Sequence, residues 1–345
     1  MTANVVFRVN ASSSVGLGHV VRCRALAEEL TARGATCTMV GPSRTHSIPL
    51  DQGIFGRWTP ITDWEDEISD AQRLLDIVDE VGADRLVLDD YRVRVAYQRE
   101  LSAAGAPPWL QAAPREGEEI RARWIYNANP SAREEVYRAA AVDPAADYLI
   151  GPRYALLRRE FRNAPRLRRV HETSPQVLIA FGGGDDRGAV AFSLEALKPI
   201  LDRIRVVVLS GPGNPANAEI QGVLARSPAG SVSLRVGPPR VAELFASSHV
   251  GLLAAGTATF EAAACGLPMV LVPISNNQEG QALAWQHLGI ATSLNRYGVA
   301  SPEDICLAVR SLLDNPDERA KRESAARRLV DGEGSSRVAG ALLGV

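Results

Sequence analysis

The residues best suited to chemistry stand near the N-terminus, in "SSSVGLGHVV" (12–21), directly after the apolar run "NVVFRV" (4–9). Three serines, two glycines and His19 separate a strand-like run from a helix-like one. A glycine-rich loop at a helix start favours an anion, because unpaired N–H groups and the positive end of the helix dipole point there. His19 falls in the first turn, where that dipole disfavours an imidazolium. A neutral imidazole accepts a proton from water, which suits a general base. The same features serve plainer ends: a histidine that binds phosphate or caps the helix, and glycines that allow a tight turn.

Several familiar loops are excluded. A dinucleotide fingerprint needs G-x-G-x-x-G and an acid further on; Gly16 and Gly18 are present, but Val21 replaces the third glycine and no acid lies near "TCTMVGP". A phosphate-binding P-loop needs G-K-[ST], and no lysine is close. Neither S-x-x-K nor G-x-S-x-G occurs, so a serine hydrolase has no support. The five histidines share no ligand spacing, so no metal site is expected.

Four further stretches carry candidate chemistry. In "LDDY" (88–91), one of Asp89 and Asp90 can orient His19 and fix its tautomer, with Asp90 taken for that role, while Tyr91 can hold a water or a sugar hydroxyl. The alternative is that these acids cap the next helix. In "AAGTATFEAAACGLP" (254–268), Gly256 and Thr257 open a helix whose N–H groups can hold a diphosphate. Glu261, one turn inside, can accept both hydroxyls of a ribose, unless it is simply a solvated residue on an Ala-rich helix. In "FGGGDD" (181–186), Gly183 and Gly184 let the backbone approach a phosphate. In "PISNNQEGQA" (273–282), Asn277, Gln278 and Gln281 offer amides to a sugar.

The elements that position these residues alternate strand, loop and helix. After the first loop, Val20, Cys23, Ala27 and Leu30 recur at spacings of three and four and define one helix face, with Arg22, Arg24, Glu28 and Glu29 on other faces. "TCTMVG", "DRLVLDDY" and "RWIYNANP" read as strands, and "DAQRLLDIVDEVG" and "RVAYQRELSAAG" as helices. The stretch 161–175 is charged and without period, and reads as a linker. The alternation then restarts with "QVLIAF" and runs through "IRVVVLSG", "VSLRVG", "HVGLLAAG" and "PMVLVP", each followed by a helix. Such alternation predicts an α/β fold of two doubly wound domains, residues 1–160 and 176–345, with the last helix packing back toward the first domain. Ligands bind outside the carboxyl ends of the strands, which makes the cleft between two facing domains the expected site.

Composition narrows the class further. The chain has 345 residues, 46% hydrophobic and 23% charged, with a formal net charge of −2. That balance gives no basic field for nucleic acid. Of the 38 basic residues only Lys198 and Lys321 are lysines, a bias that genome composition can produce. The four scattered cysteines read as reduced thiols of a cytoplasmic protein. No signal peptide is evident, and no apolar run approaches the ~20 residues of a membrane helix. A monomer without cofactor or membrane insertion is expected.

Together these motifs resemble the GT-B nucleotide-sugar superfamily in its MurG-like branch, with G-x-G-H near the start and "GTATFEAAACGLPMVLVP…NNQ" near the end. More closely, "FRVNASSSVGLGHVVRCRALAEEL", "LVLDDY", "YNANP", "GPRYALLRREF", "VLIAFGGGD" and "DGEGSSRV" look like the PseG family. That family comprises the UDP-2,4-diacetamido-2,4,6-trideoxy-β-L-altropyranose hydrolases of pseudaminic acid biosynthesis. The resemblance implies that UDP binds the C-terminal domain and that His19 activates water to attack the anomeric carbon with inversion, without a metal. It also implies that Tyr91 lies near the reacting sugar, that Glu261 holds the ribose, and that Asn277 and Gln278 contact sugar or phosphate. Asn10 and Ser12 fall on its sugar side. Two departures lie there too: Asn10 stands where the family carries an acid, and "PPWLQAAPREGEEI" (107–120) lacks an Asp-Asp pair. A GT-B glycosyltransferase using the same base on an acceptor alcohol, and a non-catalytic nucleotide-sugar binder, are the alternatives; intact His19, Tyr91 and Glu261 argue against the binder.

Overall fold

The computed structural model describes residues 2–11, 17–61, 63–164 and 175–345. Ser12 and Gly16, expected to contact sugar and diphosphate, lie outside the described residues, as does most of the expected linker. The chain divides into two compact units, Met1–Arg158 with Glu333–Val345, and Arg159–Gly332.

The first unit is a parallel sheet of β1 (Asn4–Val9), β2 (Thr36–Gly41), β3 (Phe55–Pro60), β4 (Arg85–Asp89), β5 (Trp109–Ala112), β6 (Trp124–Asn127) and β7 (Asp147–Ile150). Its order is β3-β2-β1-β4-β5-β6-β7. Helices α1 (Gly18–Ala32), α2 (Glu67–Val81), α3 (Val95–Ala103) and α4 (Glu134–Ala140) connect the strands. Runs such as Val5-Val6-Phe7 are buried on both faces, as parallel strands require. The start of α2 is set by Asp66, whose carboxylate accepts from the N–H groups of Ile68 and Ser69 at 2.9 Å. Its end is set by Gly82, which takes φ 60°.

Two polar residues of α1 depart from the periodicity. Arg24 and Glu29 are buried, at 7% and 4% exposure. Arg24 grips Asp51 through two hydrogen bonds and donates to the His46 carbonyl at 3.2 Å. It thereby fastens the 46–51 segment to the helix. The helix Gly334–Leu343 also packs on α1. Gly334 is required at its first turn, because a Cβ there would overlap the Ala155 carbonyl. Ser335 Oγ donates to Leu157 O at 2.9 Å and secures the same junction.

The second unit repeats the plan. Its strands are β8 (Gln176–Ala180), β9 (Arg205–Ser210), β10 (Val232–Val236), β11 (Val250–Leu253), β12 (Met269–Leu271) and β13 (Ala291–Ser293). They are parallel, in the order β10-β9-β8-β11-β12-β13. Helices α5 (Ala189–Leu197), α6 (Asn217–Ala225), α7 (Val241–Ser247), α8 (Ala258–Cys265), α9 (Asn276–His287), α10 (Pro302–Leu313) and α11 (Pro316–Leu329) cover it. Among the described residues, no helix is long and apolar enough to cross a membrane.

In each sheet the connections reverse direction once, between β1 and β4 and between β8 and β11. An open α/β sheet leaves a crevice at that reversal, outside the carboxyl ends of the two strands. His19 follows β1, Asp89 ends β4 and Tyr91 follows it. The glycines of 182–184 and Gly256 follow β8 and β11.

Candidate active site

Register decides which carboxylate meets His19. Val9 of β1 pairs with Asp89 of β4, and Arg8 pairs with Leu88. Side chains alternate across a strand, so Asp89 and Arg8 point to opposite faces of the sheet. Asp89 faces α1, and Arg8 faces α2 and α3.

On the α1 side, His19 Nδ1 lies 2.9 Å from Asp89 Oδ1 and 3.0 Å from the Asp89 carbonyl. Nδ1 donates its proton there, which leaves the Nε2 lone pair for another partner. Arg22 clasps the same carboxylate, with Nε 2.6 Å from Oδ2 and Nη2 on Oδ1. Cys23 Sγ is a third donor, 3.2 Å from Oδ2. Burial pushes the Asp89 carboxyl up, but the Arg22 guanidinium, and then His19, more than offset this and hold it well below the usual carboxylate range. Burial likewise pushes the Cys23 thiol well up, so it remains a neutral donor. Tyr91 stands edge-on to the imidazole, ring centroids 4.6 Å apart at 87°, and is 55% exposed. One wall of the imidazole is therefore a phenol open to solvent.

Asp90, expected to orient His19, is a correction. The chain leaves β4 after Asp89, and Asp90 returns to the Arg8 side. It is 1% exposed and is spent on Arg92, with Nε–Oδ1 at 3.0 Å and Nη2–Oδ2 at 2.7 Å. It also caps the Arg92 N–H at 3.0 Å and lies 3.7 Å from Arg8 Nη1. Arg8 itself forks onto Asp70, at 2.8 and 2.7 Å, and Tyr97 donates to the same carboxylate at 3.0 Å. Asp90 thus holds the turn that carries Tyr91 and does not touch the imidazole. Asn10 begins the loop after β1, its N–H bonded to Asp89 O at 3.3 Å. Arg22, placed by periodicity on an outward face, is the residue that sequence reasoning missed. Its signal was an arginine three residues after the histidine, one helical turn on and therefore on the same side.

In the second unit, α8 opens at Thr257, whose side chain makes no capping hydrogen bond. The Thr259 and Phe260 N–H groups already donate to Gly256 O at 3.1 Å and Thr257 O at 3.0 Å, so the amides this end presents, among the described residues, are those of Thr257 and Ala258. Glu261 lies one turn in and is 8% exposed, which excludes the reading of a solvated acid. The loop before α8 is braced by α9. Gln281 Nε2 donates to Gly256 O at 3.0 Å and to Thr259 Oγ1 at 2.9 Å, and Trp285 Nε1 donates to that hydroxyl at 3.0 Å. The Gln281 amide, expected to meet a sugar, is therefore spent on the Gly256 loop. Gln278 accepts from Ile274 N at 3.0 Å, and its Nε2 lies beside Gly256. Asn277 is exposed, in the first turn of α9 and not in a loop before it.

The glycine loop after β8 has a structural cause. A Cβ on Gly211, at the end of β9, would overlap the Gly183 carbonyl group, so these two backbones touch. Asp186 is 1% exposed and joins the same corner, accepting from Gly188 N at 2.7 Å and Asn214 Nδ2 at 2.6 Å. Gly184 has open space around its α-carbon.

No family model matches the chain. Among curated proteins, an uncharacterized protein of Methanocaldococcus jannaschii is 28% identical over 129 residues, which is 36% of this chain and only 27% of that protein. Among solved structures, MurG of Acinetobacter baumannii aligns with a TM-score of 0.70 and 16% identity, over 99% of this chain and 100% of that one. The UDP-GlcNAc 2-epimerase of Neisseria meningitidis, solved with UDP-GlcNAc bound, gives a TM-score of 0.63 and 13% identity, over 100% of both chains. These likenesses establish the fold, an α/β chain of two Rossmann-like units of the GT-B kind, as the strand and helix alternation predicted.

Proposed function

We propose that the protein is an enzyme that hydrolyses a UDP-linked sugar to UDP and the free sugar. The observation that carries this reading is the His19–Asp89 pair, whose Nε2 has no partner among the described residues and lies on a ring beside exposed Tyr91, at the strand reversal of the first unit. Water is a poor nucleophile, and a base held in one tautomer removes its proton as it attacks. Nε2 takes that proton, the water oxygen bonds to the anomeric carbon, and the bond from that carbon to the diphosphate oxygen breaks. The electron pair leaves with UDP, and attack from the opposite face inverts the centre. As Nε2 gains its proton, Asp89 stabilises the imidazolium. In the second unit, the end of α8 with Gly256, Thr257, Gly183 and Gly184 would meet the diphosphate, Glu261 would accept the ribose hydroxyls, and Asn277 and Gln278 would meet the sugar.

The resemblance to the PseG family supports a 2,4-diacetamido-2,4,6-trideoxy sugar as the substrate, in pseudaminic acid biosynthesis. Asn10 and the missing Asp-Asp pair, both on the sugar side, make the sugar the first thing to test. A second reading has the same base deprotonate an acceptor alcohol, a glycosyltransferase reaction, and the MurG-like fold favours it. A panel of UDP-sugars, with UDP release followed with and without acceptor alcohols, separates the two. Release in water alone is expected; strict dependence on an acceptor would establish transfer instead.

A further inference from the structure

A buried carboxylate needs a counter-charge, and Asp89 has two candidates within hydrogen-bond reach, the Arg22 guanidinium and a protonated His19. We infer that Arg22 is a positioning residue that serves as the standing counter-ion of Asp89, so that His19 enters the reaction with Nε2 unprotonated. Arg22 occupies both carboxylate oxygens, through Nε at 2.6 Å and through Nη2, whereas His19 reaches only Oδ1. A guanidinium keeps its proton at any working pH. Burial disfavours the Arg22 charge, but Asp89 reverses this and raises the group well above its ordinary range.

Among the described residues, the other groups around Asp89 leave it no different counter-ion. Cys23 faces it from α1 as a neutral thiol, and Tyr126 faces it from β6 with its hydroxyl pushed up by burial. Tyr91 stands at the edge of His19 on the turn after β4. Arg24, two residues beyond Arg22, is paired with Asp51, and Arg8 is paired with Asp70 on the far face of the sheet. With Arg22 in place the Asp89–Arg22 pair is neutral in sum. Without it, the buried carboxylate keeps its charge by placing a second proton on His19, and the base is lost, although Arg22 touches no reacting atom.

The inference rests on His19 acting as the base, but its test has a readout independent of turnover. The full-length protein is labelled with 15N-histidine, and the His19 ring is assigned by its loss in His19→Ala. At neutral pH the wild-type ring is expected to carry a proton on Nδ1 only. Arg22→Gln should show a doubly protonated ring, and should move the acid limb of UDP release upward by about 1–3 pH units. Arg22→Lys, which keeps the charge, should restore the wild-type ring. A wild-type pattern in folded Arg22→Gln, or a doubly protonated ring in Arg22→Lys, would overturn the inference. If Arg22→Gln fails to fold, the Arg22→Lys spectrum decides alone. If the spectra come out as stated while no UDP-sugar is turned over, the charge assignment stands and the hydrolase reading falls.

Discussion

His19 and Asp89 are joined twice, at 2.9 Å through the carboxylate and at 3.0 Å through the main-chain carbonyl of the same residue. Both contacts fall on Nδ1, so the orientation of the ring is fixed by the end of β4 as well as by its own helix. Replacing the carboxylate therefore affects charge more than placement. Asp89→Asn should lower the rate of UDP release by roughly 10²–10⁴-fold while UDP affinity changes little. Calorimetric titration with UDP beside steady-state rates checks both halves, and an unchanged rate would remove Asp89 from the mechanism.

His19→Ala should abolish UDP release and leave UDP binding nearly as it was. In the proposed hydrolysis the imidazole acts on water, and other groups hold the nucleotide. Turnover retained in this variant would end the base assignment.

Asp89 also makes stability depend on pH, with a definite sign. Burial raises its carboxyl, but Arg22 and His19 bring it well below the ordinary range. In the unfolded chain the group takes its proton near about pH 4. A folded value below the unfolded one contributes stability that is complete above about pH 4 and is lost as pH falls toward the folded value. Denaturant midpoints from about pH 6 to pH 2 should therefore drop more steeply for wild type than for Asp89→Asn. Parallel profiles would mean that Asp89 gains nothing from its partners.

Glu261→Ala tests the nucleotide half. If the carboxylate accepts two ribose hydroxyls, UDP binding should weaken by roughly 1.5–3 kcal/mol, the range for hydrogen bonds to a charged group. UDP and free ribose-lacking diphosphate should then bind the variant with closer affinities than they bind wild type. Equal UDP binding in variant and wild type would take Glu261 out of the ribose site.

Much of the fold was legible because buried parallel strands read as short apolar runs between helical periods. β1, β2, β8, β9 and β11 announce themselves in this way. Strands β5, β7 and β13 have only three or four residues, and β3 mixes polar residues into its run, so no window of periodicity isolates them. The helix at Thr257 was legible for a different reason: a glycine before a helix marks a close approach of backbone to something. The choice between Asp89 and Asp90 was not legible. Adjacent residues leaving a strand face opposite sides, and only the register with β1 says which side holds α1. Nor were the partners of Arg22 and Arg24 legible, because helical period assigns an arginine to solvent unless a distant acid is known to meet it.

The helix Gly334–Leu343 belongs to the unit that begins with β1, and it lies on α1, where Arg33 donates to Ser336 O at 3.0 Å. That has a consequence for synthesis on the ribosome. Residues 159–332 form a continuous stretch that can fold as soon as it emerges, whereas the first unit must wait for its last helix. Domains commonly fold in the order in which they are made. Here α1 emerges before that stretch and yet stays uncovered by Gly334–Leu343 until this helix has itself emerged, so the nascent chain carries His19 long before the helix that bears it is fully packed.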